Sequence, residues 1–398
     1  MTSRPRGLVV SALGGTQILA WGSSYYLPAV VANPIATETG WPLIWVVGGL
    51  SLGLLVAGLV SPRVGRIIHQ HGGRLVLAAS SILLALGLVG LSLAQSPATY
   101  FLAWLVIGLG MGGGLYDAGF ATLGRLYGSE ARRMIVTLTL FGGFASTVCW
   151  PFSAYLVDHY GWRGACLVYA GIHLLVALPV HLIVVPRPTP APAEPDDDNT
   201  VGNSPSNLVA KEHLFLFVLM AAAIALCSVI SSMVSVHLLT ILQAGGLSLA
   251  SAVALGAMVG PSQVGARVVE MVFGRYYHPI WTMLAGTVLV TIGLALLLVG
   301  FPIVMLALIL YGAGIGIESI ARGTVPLALF GSRNYATLMG TLAMPSLIAQ
   351  AMSPSVGAFL LQYGGAGAVL SMLTALAALN VVLVALLRGA GRKAELPI

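Results

Sequence analysis

Charge is what this sequence has least of. Among 398 residues only 12 are Asp or Glu and 18 are Lys or Arg, 8% charged in all against 58% hydrophobic. Soluble domains carry about 25% charged residues, so this chain has too little charge to cover a water-facing surface. Cysteine is scarce as well. Cys149, Cys166 and Cys227 fall in apolar stretches at no metal-ligand spacing, which excludes a disulfide framework and leaves them as small core residues. No Gly-x-x-x-x-Gly-Lys-Ser/Thr loop is present to cradle a nucleotide phosphate, and no nucleophile–base pair or metal constellation stands out. The sequence therefore points away from ATP-driven transport by this chain, from an enzyme, and from any cofactor or metal.

What is present is apolar sequence in long runs. The mean hydropathy is +0.96. Twelve stretches, approximately 7–33, 42–62, 75–95, 98–127, 134–157, 164–185, 213–242, 248–273, 280–300, 302–330, 337–361 and 366–387, read as helices. Each is near or above the roughly 20 residues that span the hydrocarbon of a bilayer. The start, with Arg4 and Arg6 ahead of an apolar run, imitates a signal peptide, but the run continues past Tyr25 and Tyr26 and is long enough to be a retained first helix. Pro, Gly or charge marks each break, as at Pro34 to Pro42, Asp158 to Arg163 and Gly364-Gly365.

The positions of the basic residues give an orientation. With the N-terminus placed inside, Arg4, Arg6, Arg63, Arg66, Arg74, Arg125, Arg132, Arg133, Arg187, Lys211, Arg275, Arg333, Arg388, Arg392 and Lys393 all fall at cytoplasmic ends or loops. Arg163 alone falls outside, and Arg267 and Arg322 lie within spans. That asymmetry places both termini in the cytoplasm. It also explains the net charge of +6 as a topology signal, so nucleic acid is not an expected partner. One long hydrophilic stretch, rich in proline and then in Asp196, Asp197 and Asp198, divides the chain. The expected organisation is a six-helix bundle over 1–186, a cytoplasmic linker over 187–212, and a second six-helix bundle with a short tail over 213–398. The halves also repeat. Pro151 matches Pro354, Tyr160 matches Tyr363 and Gly161 matches Gly364 at one offset, and Val64-Gly65 matches Val264-Gly265. Alternating glycines, Gly110, Gly112 and Gly114 against Gly312, Gly314 and Gly316, recur in the fourth and tenth spans.

The loop between the second and third spans reads Gly65-Arg-Ile-Ile-His-Gln-His-Gly72-Gly73-Arg74. It resembles the Gly-x-x-x-Asp-Arg-x-Gly-x-Arg signature of the major facilitator superfamily, with His69 and Gln70 in place of Asp and Arg. The resemblance implies an all-α integral membrane fold of twelve transmembrane helices in two pseudo-symmetric six-helix bundles. It also implies that Arg66, Gly72 and Arg74 belong to a gate region. Two further stretches are similar to the monocarboxylate porter and oxalate–formate antiporter-like branch. Gln263-x-x-x-Arg267 stands where that branch has Asp-x-x-x-Arg, and Ser24-Tyr25-Tyr26-Leu27-Pro28 resembles its Ser-Tyr-x-x-Pro, with Ala29 where a lysine follows. In that branch the arginine meets a substrate carboxylate. Gln263 and Ala29 lack the ionisable groups the branch uses to couple protons.

Ionisable residues inside spans are expensive and face a bundle interior or a wet cavity. Five occur: Asp117, Arg267, Glu270, Glu318 and Arg322. Arg267 is the first candidate for substrate, because a guanidinium offers a carboxylate a planar fork of donors. Glu270, at i+3, could instead neutralise it as a structural pair. Glu318 and Arg322 stand at i, i+4: Glu318 is either a proton carrier or half of a permanent bridge. Asp117 reads as a structural latch near the gate. Trp21, Tyr25 and Tyr26 are the cavity candidates among aromatics. Ser228, Ser231, Ser232 and Ser235 form a stripe suited to close helix packing, and His173, His181 and His237 read as isolated, satisfied core histidines.

The expected protein is a monomeric, multi-pass secondary transporter of the cell inner membrane, working by alternating access on a small organic anion, a monocarboxylate, held by Arg267, Gln263, Tyr25, Tyr26 and Arg322. Protons coupled through Glu318 and the lipid bilayer are the other partners. The alternatives are an efflux carrier for hydrophobic or cationic compounds, with Asp117 and Glu318 as binding acids, and a receptor that keeps the fold and moves nothing.

Overall fold

Inside hydrocarbon each backbone N–H and C=O must find its partner within the protein, and a helix does this within one segment. The computed structural model is accordingly built of helices throughout. It describes residues 5–187 and 213–393; the expected linker lies outside them, apart from Arg187. The helices are α1 Arg6–Ser23, α2 Pro28–Thr39, α3 Leu43–His71, α4 Gly73–Ser92, α5 Pro97–Gly114, α6 Tyr116–Tyr127, α7 Ala131–Gly143, α8 Ala145–Ile172 and α9 Leu178–Val184. They continue with α10 Leu214–Ala244, α11 Leu249–Gly256, α12 Val259–Phe273, α13 Pro279–Leu298, α14 Val304–Phe330 and α15 Tyr335–Lys393. Among the described residues, eight helical stretches are long and apolar enough to cross a membrane. Two of them, Pro97–Val184 and Tyr335–Arg392, are long runs that bend at Gly161 and Gly365, where φ is +68° and +69°.

Four expected helices are interrupted, the fifth of the twelve at Phe144, between α7 and α8. The first breaks between Ser23 and Pro28, since Pro28 has no N–H to give to Ser24, and the Ser23 and Ser24 hydroxyls bond back to the Leu19 and Ala20 carbonyls. The fourth breaks at Leu115, after three consecutive glycines, the poorest helix formers short of proline. The eighth breaks at Ala257 and Met258, ahead of Pro261.

By contact the chain divides into two units, Met1–Leu208 with Gly331–Met344, and Val209–Phe330 with Pro345–Ile398. The outer surface carries large apolar side chains, among them Ile44, Leu175 and Val299 at 71%, 80% and 73% exposure, as lipid contact requires. Lipid offers no hydrophobic drive between helices, so they hold together by close backbone packing. The alternating glycines supply it, and each register faces a different neighbour. In the first unit a Cβ on Gly108 or Gly112 would lie 2.6 Å from Gly53 O or Val60 Cγ2 of α3. One on Gly110 or Gly114 would lie 2.8 Å from Leu84 Cγ or 2.6 Å from Ser80 Oγ of α4. In the second unit Gly312 and Gly316 face Val259 and Gln263 of α12, while Gly314 faces Gly286 of α13. One glycine helix thus lies between two others in each unit, but the matched positions exchange faces: Gly110 and Gly114 turn to α4, in the third span, whereas their counterparts Gly312 and Gly316 turn to α12, in the eighth.

The first unit also holds a polar staple at one end. Glu38 of α2 accepts from the Trp162 indole N–H at 2.6 Å and from Arg163 Nε at 3.0 Å. Arg163 Nη1 donates to the carbonyls of Ser92, the last residue of α4, and of Ala94 beyond it, at 2.6 and 3.0 Å. This is the one arginine that the charge pattern put on the opposite side.

Two outcomes follow for stability. Gly314→Val sets a Cβ 2.6 Å from the Gly286 carbonyl, so thermal unfolding in detergent is expected to show a loss of about 1–3 kcal/mol. Gly15→Ala, with nothing within 4 Å, is expected to leave the transition unmoved. Glu38→Ala strands the buried Trp162 N–H and is expected to cost about 1–3 kcal/mol. Glu38→Gln keeps an acceptor there and loses less; an equal loss in both would mean the ion pair with Arg163 dominates.

Candidate functional site

Arg267 lies in α12 at 4% exposure, its side chain directed into the second unit. Its Nε–H donates to the Gly316 carbonyl of α14 at 3.2 Å, and Nη2 donates to Gln263 Oε1, one turn earlier, at 3.4 Å. Gly316 makes this approach possible, since a Cβ there would stand 2.5 Å from the Gln263 carbonyl oxygen. The α12 and α14 backbones therefore touch beside the guanidinium. Glu270, half-buried a turn further on, accepts from the Thr282 hydroxyl of α13 at 2.7 Å.

Glu318 is buried on α14, with its Cγ against Gly286 of α13. The Cys227 thiol of α10 hydrogen-bonds its carboxyl, while Oε1 is buried and makes no hydrogen bond. Arg322, one turn along, donates from Nη1 to Ser228 Oγ at 3.3 Å, and Ser228 Oγ is 2.9 Å from Ser346 Oγ of α15. The second unit thus sets Arg267 beside Gln263, Glu318 beside Cys227, and Arg322 beside Ser228. Cys227 and Ser228 had looked like core and packing residues; their neighbours are visible only once α10 is laid against α14.

The other candidates lie in the first unit. Tyr25 and Tyr26 belong to an aromatic cluster with Trp21 and with Tyr116 of α6, the Trp21 ring centroid lying 5.3, 6.0 and 5.0 Å from the three tyrosines. Asp117 sits in the first turn of α6, where the helix dipole favours a negative charge, within electrostatic reach of the Tyr335 hydroxyl. Arg125 donates from Nε to the His69 carbonyl at 3.0 Å, tying α6 to the loop motif. Gly72 of that motif has φ +78°, and a side chain on Gly65 would meet the Ala336 carbonyl 2.5 Å away. Arg66 and Arg74 lie half-buried on either side, near the end of α3 and the start of α4.

The histidines of the first unit are not isolated. A π-helical turn, His173–Ala177, follows α8. His173 Nε2 is 2.7 Å from Ser23 Oγ, and His181 reaches Ser81 Oγ and Thr16 Oγ1 at 3.0 Å each, so the pair ties this segment to α1 and α4. In the second unit His237 donates from Nε2 to the Pro354 carbonyl at 2.9 Å.

The geometry can be set beside known proteins. Residues 13–277 match the family model described as the Major Facilitator Superfamily. Human monocarboxylate transporter 6 is 30% identical over 155 residues, 37% of this chain and 30% of the relative. An uncharacterized 38 kDa protein of Thermoproteus tenax is 30% identical over 183 residues, 45% of this chain and 47% of the relative. The matched stretch is thus less than half the length of these relatives. Among solved structures, the human organic anion transporter TETRAN superposes with a TM-score of 0.73 at 17% identity, over 96% of this chain and all of that one. The transporter FucP in its outward conformation gives 0.75 at 13% identity, over 96% of this chain and 98% of that one. At such identities the superpositions speak for the fold alone. Family model, relatives and fold agree: the chain belongs to the Major Facilitator Superfamily, a multi-pass membrane transporter and not an enzyme, resembling the monocarboxylate transporters.

Proposed function

We propose that this protein is a secondary active transporter that moves a small organic anion, a monocarboxylate, by alternating access, with Arg267 as the group that meets the carboxylate. The observation that carries this reading is a guanidinium at 4% exposure on a membrane helix, held by a backbone carbonyl and by the Gln263 amide. A charge so placed is costly, and within membrane helices such residues mark substrate and ion pathways. Its 3.4 Å contact with Gln263 is long for a hydrogen bond, so a carboxylate oxygen competes for that N–H with advantage: charge-assisted bonds are shorter and about twice as strong. Relatives named as monocarboxylate transporters support the same substrate class. The reading includes twelve crossings, an inner-membrane location and both termini on the cytoplasmic side, the last supported by the one-sided distribution of Lys and Arg.

We assign proton coupling to Glu318. The supporting observation is its buried carboxyl, with Oε1 free of hydrogen bonds and a neutral thiol as neighbour. A carboxyl in that setting holds a proton without needing a counter-charge, and it can release one when its surroundings change.

Two measurements test these roles. In proteoliposomes, accumulation of a short-chain monocarboxylate is expected to fall at least tenfold in Arg267→Ala, and Arg267→Lys is expected to recover little of it, since an ammonium lacks the fork. Uptake of lipophilic cations that is lost in Glu318→Gln, with no anion flux, would overturn the anion reading in favour of an efflux carrier. For the proton, acidifying the outside is expected to accelerate uptake by the wild type and to have no effect on Glu318→Gln, whose anion exchange persists. A gradient that neither drives nor alters wild-type flux removes Glu318 as carrier.

A further inference from the structure

Two of the helix interruptions in the first unit meet. Between α1 and α2, Tyr25 and Tyr26 sit on a non-helical turn in which the Tyr26 N–H donates to the Trp21 carbonyl at 3.0 Å. Between α5 and α6, Leu115 is extended, with φ −87° and ψ −171°. Gln17 of α1 spans the two, donating from Nε2 to the Gly114 carbonyl at 2.7 Å, and Trp21 packs its ring 5.0 Å from that of Tyr116. Tyr26 extends the cluster to Trp150 of α8 at 6.0 Å. Irregular backbone at membrane depth is tolerated where it is buried in protein or lines a cavity, and interrupted helices are where transporters build their binding sites.

The cluster carries two polar atoms that the protein does not satisfy. Trp21 Nε1 is a buried donor and Gln17 Oε1 a buried acceptor, and neither makes a hydrogen bond. The Gly114 carbonyl can only accept, so it fixes which amide atom faces it and leaves the oxygen as the unmatched one. Gln17 is 1% exposed. The two side chains stand at i and i+4, one turn apart on one face of α1. Their needs are opposite: one seeks an acceptor and the other a donor. A hydroxyl is both. The rings around them, from Trp21, Tyr25, Tyr26, Tyr116 and Trp150, meet edge-on or tilted at 5.0–6.0 Å, in the range at which aromatic groups attract one another.

We propose that the aromatic cluster of the first unit binds an aromatic ring bearing a hydroxyl, with Trp21 Nε1–H donating to the hydroxyl oxygen and Gln17 Oε1 accepting its proton. The class of ligand this site takes is a phenolic ring.

The test uses purified full-length protein in detergent, titrated with 4-hydroxybenzoate, benzoate, cyclohexanecarboxylate and phenol and followed by thermal shift and tryptophan fluorescence. In the wild type 4-hydroxybenzoate is expected to bind at least tenfold more tightly than cyclohexanecarboxylate, with benzoate between them. Trp21→Phe keeps a ring and removes the N–H, and is expected to bring 4-hydroxybenzoate to within twofold of benzoate. Gln17→Met removes the acceptor and is expected to do the same, so the result does not depend on one variant folding. Equal binding of cyclohexanecarboxylate and 4-hydroxybenzoate, a hydroxyl preference that survives both α1 variants, or no binding of any ring compound overturns the proposal. If phenol binds as tightly as 4-hydroxybenzoate, the ring site stands whatever becomes of the anion reading, which the Arg267 variants test in transport.

Discussion

A bilayer interior gives a protein neither water to satisfy a stray polar group nor a hydrophobic drive to press one helix on another. Most of this structure answers that constraint. Helices hold by bringing backbones together, and the glycines of α5 and α14 are where that happens. A residue with any side chain at Gly316 would stand the α12 backbone off, and with it the chain segment that carries Arg267. The packing of the second unit and the setting of its buried guanidinium are therefore one arrangement.

The same constraint separates the polar groups that merely hold the fold from those that carry more meaning. Ser61, Thr122, Ser153 and Thr324 are buried, yet each hydroxyl reaches a helix carbonyl or another hydroxyl within its own unit. Both ring nitrogens of His181 are engaged, and His237 Nε2 reaches the Pro354 carbonyl. Against that background Glu318 Oε1, Trp21 Nε1 and Gln17 Oε1 are buried atoms without a hydrogen bond, as are Trp104 Nε1, His173 Nδ1, Thr374 Oγ1 and Asn380 Oδ1. The first three each lie beside a glycine crossing or a helix break.

Much of the fold was legible from the chain, and the reason is the same scarcity of charge. With 8% charged residues, each Arg or Glu marks either an end or an exception. The alternating glycines announced a repeat, and the structure shows the faces exchanged between the halves: Gly110 and Gly114 pack on α4 and Gly112 on α3, whereas their counterparts Gly312 and Gly316 pack on α12 and Gly314 on α13. The Tyr160-Gly161 stretch was matched to Tyr363-Gly364, and the left-handed residue proves to be Gly161 in one half but Gly365 in the other, one step later. What could not be read were partners far apart in sequence. Nothing local to Glu38 says that Trp162 and Arg163 will meet it, and nothing in Cys227 says that its thiol will lie on Glu318. Periodicity reports one helix at a time, whereas these contacts depend on how helices pack.

Helix breaks were the other blind spot, and they matter more. A proline or a run of glycines in an apolar span is compatible with a bent but continuous helix, so the pattern alone does not say that the hydrogen-bond ladder parts at Leu115 or between Ser23 and Pro28. Once the ladder parts, carbonyls and amides near the break need other partners. Gln17 supplies one for Gly114, and in doing so leaves its own oxygen unmatched. Repairing one break thus moves the unmet need from the backbone of α5 to a side chain on α1, beside the exposed edge of an aromatic cluster. A backbone carbonyl can be satisfied by almost any donor, but a side-chain oxygen set one turn from an indole N–H asks for a group of particular shape. In that way a defect in helix continuity becomes a requirement on the ligand.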